Sequence, residues 1–501
     1  MKAAAVFSDN MVLQRRRPVR IFGTCGEGQG PITVRVPELG ISGEAIVSGG
    51  RWEAVLPPME ACPVCTLEII SGAVKKQFRN VAVGEVWLAG GQSNMEYELQ
   101  NELNGSQALA ECGSENVRFY YTPKCEMSDD KLIKAEAESS WQAPSPENSR
   151  AWSAVGYYFA KHLSRRLGVT VGVIGCNWGG TSASAWIPRE RLLQDSRIRI
   201  YIDEYDQAIK GKSDSEMIAE YEEYGRYQWE WEQRKNKCYA EDPDISWDQV
   251  LEKCGENRYP GPPGIMNPMR PCGLHETMIS RVAPYTLGGV LYYQGESDDH
   301  RPDTYEVLLK ALIDQWRSDW KDKELPFLLV QLPMHRYAAD PDYKNWPVIR
   351  QAQYDVFRTV KNTGLASALD CGEFNEIHPR DKSAVAYRLY LQALSEVYGL
   401  ADRSETLPPM FRCAVHEKDG LRLFFDNCTG FEVRGELTGF ELSGADGKTV
   451  PASAEVQGDT ILLTAAAERP FREVRWLWTN YAGVPLFGKN GLPVASFRAE
   501  I

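Results

Sequence analysis

The sequence predicts an α/β core of parallel strands carried between two all-β modules. Three observations predict it. Five short apolar runs recur through the middle of the 501-residue chain, at 86–89, 171–174, 290–293, 327–330 and 365–369. Continuous apolar runs suit parallel strands covered on both faces. The stretches between them are amphipathic: Leu308, Leu312 and Trp316 recur as a core-facing helix stripe does. Outside this region, short strand-like segments alternate with Gly and Pro breakers.

The elements follow in order. Residues 1–82 read as an N-terminal β-sandwich module, with strands at 19–22, 32–36 and 66–70 and another headed by Trp52 after the Gly49-Gly50 turn. Residues 83–402 form the α/β domain. Within it, 189–260 breaks the alternation, holding 18 acidic and 12 basic side chains with many Tyr and Trp. Met217, Tyr221, Tyr224 and Trp231 fall there at helical spacing, which predicts a mostly helical insertion packing on its own aromatics, or alternatively a lid or a partner surface. Residues 403–501 form a C-terminal β module, with strands at 421–425, 460–464 and 474–478 and turns at Asp446-Gly447 and Gly458-Asp459.

Composition excludes several functions. With 56 Lys+Arg against 69 Asp+Glu, the net charge of -13 argues against a broad basic face for nucleic acid. No apolar run reaches the roughly 18 residues a membrane helix needs. The start, MKAAAVFSDNMVLQ, breaks at Ser8-Asp9-Asn10 and lacks the longer apolar stretch of a secretory leader, so a cytoplasmic location is expected. Twelve scattered cysteines are then expected to be mostly reduced.

In parallel sheets function gathers at the carboxyl ends of the strands. The first run ends in Gly90-Gly91-Gln92-Ser93-Asn94-Met95, a serine in a tight Gly-rich turn into a helix. Alone, Ser93 reads as a helix N-cap more readily than as a nucleophile. The second run leads to Asn177-Trp178-Gly179-Gly180-Thr181, where paired glycines let the backbone approach a ligand or simply turn the chain. The third ends in Tyr293-Gln294-Gly295-Glu296-Ser297-Asp298. Gln294 there is either an oxyanion donor or a polar strand terminus, and Glu296 and Asp298 read as a solvated acidic loop rather than metal ligands. After the fifth run come Asp370 and Glu376-Ile377-His378-Pro379, and His378 is one of only six histidines. A loop His with acids nearby suits a general base. Four such groups at the ends of four strands of one sheet form a constellation that none forms alone.

These motifs, with Asp9-Asn10-Met11-Val12-Leu13-Gln14, Gly84-Glu85-Val86-Trp87, Arg350-Gln351-Ala352-Gln353 and Gly491-Leu492-Pro493, resemble the sialate O-acetylesterase family of the SGNH hydrolase superfamily over nearly the whole chain. The resemblance implies a three-layer sandwich around a five-strand parallel sheet, and a serine esterase that removes acetyl groups from sugar hydroxyls. It implies Ser93 as nucleophile and His378 as its base, with an oxyanion hole made by the N–H groups of Ser93 and Gly180 and the Gln294 side chain. No metal or organic cofactor is required. The departure is the acid: many superfamily members place Asp three residues before the His, where this chain has Asn375. Glu376 is the expected orienter of His378, with Asp370 or a main-chain carbonyl as alternatives.

Other residues carry weaker signals. Cys62-Pro63-Val64-Cys65 resembles a redox pair or half a zinc site, with no second half. Cys176 and Cys371 lie beside the motifs and read as core-filling thiols rather than reactive ones. Arg350 and Gln353 suit either substrate contact or a buried tie between helix and loop. The expected partner is an O-acetylated sugar, most simply an O-acetylated sialic acid, with acetylxylan or another acetylated glycan as the alternative. Neither nucleic acid nor membrane is expected, and a homo-oligomer is compatible with the sequence. The rival from another class is a non-catalytic carbohydrate-binding protein, against which the intact Ser93, Gln294 and His378 set argues.

Overall fold

The computed structural model describes residues 1–26, 30–242 and 245–501. Its centre is a parallel sheet of six strands: β1 (Val74–Gly91), β2 (Val117–Tyr121), β3 (Val171–Asn177), β4 (Gly289–Tyr293), β5 (Phe327–Gln331) and β6 (Thr363–Ser367). They lie in the order β2-β3-β1-β4-β5-β6, every pair parallel. The five-strand expectation is therefore corrected to six. The missed edge strand carries Arg118, whose guanidinium donates to the carbonyls of Asn10, Met11 and Asn80 and so tolerates burial. A charge in a five-residue segment hides the strand from an apolar-run criterion.

Helices cover both faces. On β1, Trp87 packs edge-on against Phe159 of α2 (Ala154–Leu167), 4.9 Å between centroids. Gly90, on the opposite face by the two-residue period, lies against Trp316 of α5 (Tyr305–Asp319). Leu308, Leu312 and Trp316 form the buried stripe of α5. Helix α6 (Asn345–Thr359) packs beside α5, and α7 (Ser383–Glu396) beside α2.

The amino-terminal β segments are not set apart by a linker at 82/83. β1 runs unbroken across that position, pairing antiparallel with Cys62–Ser71 over its first half and parallel with β3 and β4 over its second. The carboxyl-terminal residues build two four-stranded antiparallel sheets and a two-stranded ribbon. Between β3 and β4 the excursion carries α3 (Asp214–Glu241), its longest helix, and α4 (Trp247–Cys254). A small core of Trp231, Ile245, Val250 and Cys254 holds it together, separate from the main core.

Candidate active site

Because all six strands run the same way, the segments following β1, β3 and β4 and the loop after β6 emerge along one edge. Gly91 turns the chain there with φ +136°, and a Cβ on it would sit 2.1 Å from the Tyr293 carbonyl. Only glycine accommodates both. The turn starts α1 (Ser93–Glu96), so the Ser93 N–H lies in the first turn, where a helix offers no internal acceptor.

Ser93 Oγ lies 2.8 Å from His378 Nε2, across 285 residues of sequence. Burial pushes the His378 pKa below its ordinary value, with Lys382 adding to the depression and Glu376 opposing it. The imidazole is thus neutral at neutral pH and able to accept a proton.

The loop bearing His378 is held by a buried hub. Asn94 Nδ2 donates to Glu296 Oε1 (2.7 Å) and to the carbonyl of Ile377 (3.0 Å), while Lys382 Nζ donates to Asn94 Oδ1 (2.5 Å). Glu296 and Lys382 are both buried and of opposite charge, which lets each tolerate the other's desolvation. Burial raises the Glu296 pKa and lowers that of Lys382 to about 8. Glu296 is thus an internal anchor and not part of a solvated loop.

The Gly pair is pinned beside the serine. Glu96 Oε2 accepts from the Gly179 N–H (2.6 Å), and its other oxygen pairs with Lys124 at 2.5 Å. A Cβ on Gly179 would come 3.3 Å from the Ser93 Cβ. Gly180 follows with φ +76°, and among the described residues its N–H meets no acceptor.

Two expected roles are corrected by geometry. Gln294 is fully buried, and its amide donates to Gln92, Thr181 and Asp298, the last at 2.6 Å. Its oxygen accepts from Tyr305 (2.9 Å), so the side chain is engaged inside the protein and organises strand ends. Arg350 is likewise fully buried, donating to Ser496 Oγ and to the carbonyls of Leu477 and Thr479. Burial lowers its pKa to about 9. It ties α6 to the carboxyl-terminal β segments and reaches no surface a substrate could use. Gln353 bonds the Gln294 carbonyl and the Leu332 N–H in the same structural way.

Of the candidates for orienting His378, Glu376 lies nearest. Its Oε1 is 3.7 Å from Nδ1, beyond hydrogen-bond reach, and accepts from the His378 main-chain N–H at 2.7 Å. Asp370 is spent on a bidentate pair with Arg388 at 2.6 and 2.8 Å. Asn375 turns the loop with φ +61° and accepts from the Ala338 N–H. Sequence reasoning missed His335, buried behind this loop with Nδ1 3.2 Å from the Glu376 carbonyl oxygen, its ring edge-on to Tyr337 and tilted against Trp346. Burial pushes the thiols of Cys65, Cys176 and Cys371 up to about 12, which keeps them protonated. No cluster of three or more metal-ligating side chains occurs among the described residues, and no helix there is long and apolar enough to cross a membrane.

Comparison with known proteins points to carbohydrate ester hydrolysis. Residues 269–392, which carry Gln294, Glu376 and His378, match the family described as carbohydrate esterase, sialic acid-specific acetylesterase. Mouse sialate O-acetylesterase is 29% identical over 465 residues, covering 86% of this chain and 80% of its own length. The human sialate O-acetylesterase is 26% identical, covering 79% and 71%. The crystal structure of a carbohydrate acetylesterase from Xanthomonas citri superposes with a TM-score of 0.77 at 27% identity, over 99% of both chains. The chain is a carboxylic ester hydrolase similar to the sialate O-acetylesterases.

Proposed function

We propose that the chain is an SGNH-type serine esterase that releases acetate from acetylated sugar hydroxyls, O-acetylated sialic acids first among them. The observation that carries this reading is the 2.8 Å approach of Ser93 Oγ to His378 Nε2 at the carboxyl edge of the parallel sheet. His378 takes the Ser93 proton as Oγ attacks the acetyl carbonyl carbon. The carbonyl oxygen becomes an oxyanion facing the N–H groups of Ser93 and Gly180. The bond to the sugar oxygen then breaks, and His378 returns the proton to that oxygen. Water, deprotonated by the same imidazole, then attacks the acyl carbon; the bond to Ser93 Oγ breaks, His378 returns the proton to Oγ, and acetate leaves.

The hole in this account has two main-chain donors. Glu96 supports it by fixing Gly179, and with it the direction of the Gly180 N–H. Acetylated xylan remains the alternative substrate within the same chemistry. Acetate release from O-acetylated sialic acid and from acetylated xylo-oligosaccharide, each with wild type and Ser93→Ala, tests the reading. Release that requires Ser93 supports it and names the sugar. Release equal in both proteins, or absent even from an aryl acetate, would refute it.

A further inference from the structure

The helical excursion reaches the catalytic edge. Its return segment, 255–272, brings Tyr259 onto Gly180: a Cβ built on that glycine would meet the Tyr259 hydroxyl at 2.1 Å and the Met269 methyl at 2.7 Å. Gly180 is the residue whose N–H faces the reacting carbonyl in the account above. Tyr259 is 52% exposed, and among the described residues its hydroxyl makes no hydrogen bond.

The segment is held by one face of α3. Trp231 Nε1 donates to the Gly255 carbonyl (2.9 Å), Tyr227 to that of Glu256 (2.6 Å), and Arg234 to that of Cys254 (3.2 Å). The Tyr224 ring packs on Gly261. Residues 224, 227, 231 and 234 recur at helical spacing, so a single stripe fixes the main chain on both sides of Tyr259. Asn267 closes the return by donating to the carbonyls of Pro260 and Pro262. From the other side of the edge comes Tyr337, 51% exposed, its ring 4.6 Å edge-on from His335. A phenol with a free hydroxyl, held by a dedicated element beside the Gly pair, has the form of a sugar contact: the ring offers an apolar face and the hydroxyl pairs with a sugar hydroxyl.

We infer that Tyr259 is a specificity-determining residue of the esterase site, its hydroxyl hydrogen-bonding the sugar that carries the acetyl group while Tyr337 lines the facing wall. This rests on the acetylesterase reading. The excursion then serves to deliver that phenol, beyond packing on its own aromatics.

Tyr259→Phe keeps the ring and removes only the hydroxyl. We expect the ratio of kcat/KM for the acetylated sugar to kcat/KM for 4-nitrophenyl acetate to fall about five- to tenfold, chiefly through KM. Binding of the acetylated oligosaccharide to Ser93→Ala, measured by calorimetry, is expected to weaken by a similar factor on adding Tyr259→Phe. Tyr259→Ala lowers the ratio at least as far. An unchanged ratio and unchanged binding would overturn this inference and leave the esterase reading standing. Equal losses on both substrates would also overturn it, assigning Tyr259 to support of the Gly180 loop. A wild type that cleaves the aryl acetate but no acetylated sugar would remove the sugar reading and this inference together.

Discussion

Replacing Glu376 by Gln separates a charge effect from an orienting hydrogen bond. The carboxylate stands 3.7 Å from His378 Nδ1, and the two side chains are 49% and 38% exposed. Such exposure calls for a water-like dielectric. Two unit charges at that distance then attract by about 1 kcal/mol, roughly sixfold in rate when the imidazolium forms in the transition state. Gln keeps an oxygen to accept from the His378 main-chain N–H, so the loop is preserved. Removing a buried, hydrogen-bonded triad acid costs about 10⁴ in kcat. We therefore expect Glu376→Gln to lower kcat by less than about tenfold, with KM changing less. Because Glu376 raises the His378 pKa, its loss also moves the acidic limb of the kcat/KM profile to lower pH. Acetate release measured from pH 4 to 9 reads both effects. A loss of a thousandfold would refute the reasoning, since it would require the carboxylate to close onto Nδ1 in the reacting complex. Activity within twofold and an unmoved limb would remove Glu376 from the account.

Other perturbations follow from the same geometry. The Lys382 charge helps hold the His378 pKa down, so Lys382→Met should move the acidic limb to higher pH, opposite in sign to Glu376→Gln. Asn94→Ala frees the Ile377 carbonyl and strands Glu296 and Lys382; we expect a loss of about 2 kcal/mol or more in urea unfolding and a fall in kcat as the His378 loop loosens. Arg350→Met should lower Tm, at a cost of about 3 kcal/mol from unpaired buried carbonyls, while KM of the folded fraction stays at the wild-type value. A KM rising tenfold in that variant would return Arg350 to the substrate.

Much of the fold is legible in the sequence because apolar runs and helix stripes are local. The five runs mark five strands of the sheet, and Leu308, Leu312 and Trp316 mark α5. β2 escaped because Arg118 is satisfied by carbonyls of residues far away in sequence. The continuity of β1 escaped because one strand changes partners midway without any change in composition. Within the site, residue types point to Ser93 and His378, whose side chains meet. The orientation of a polar side chain is another matter. Gln294 and Arg350 carry the right chemistry for a ligand, yet both are absorbed by partners such as Thr181, Asp298, Thr479 and Ser496. The pairing of Asn94 with Glu296 and Lys382 spans 202 and 288 residues, a separation no local pattern encodes.

The most direct test of the central claim is acetate release by wild type and Ser93→Ala, side by side, on O-acetylated sialic acid and acetylated xylo-oligosaccharide. The account predicts release by wild type and a loss of at least a thousandfold in Ser93→Ala, with a matching loss in His378→Ala. Release that persists in Ser93→Ala would contradict it.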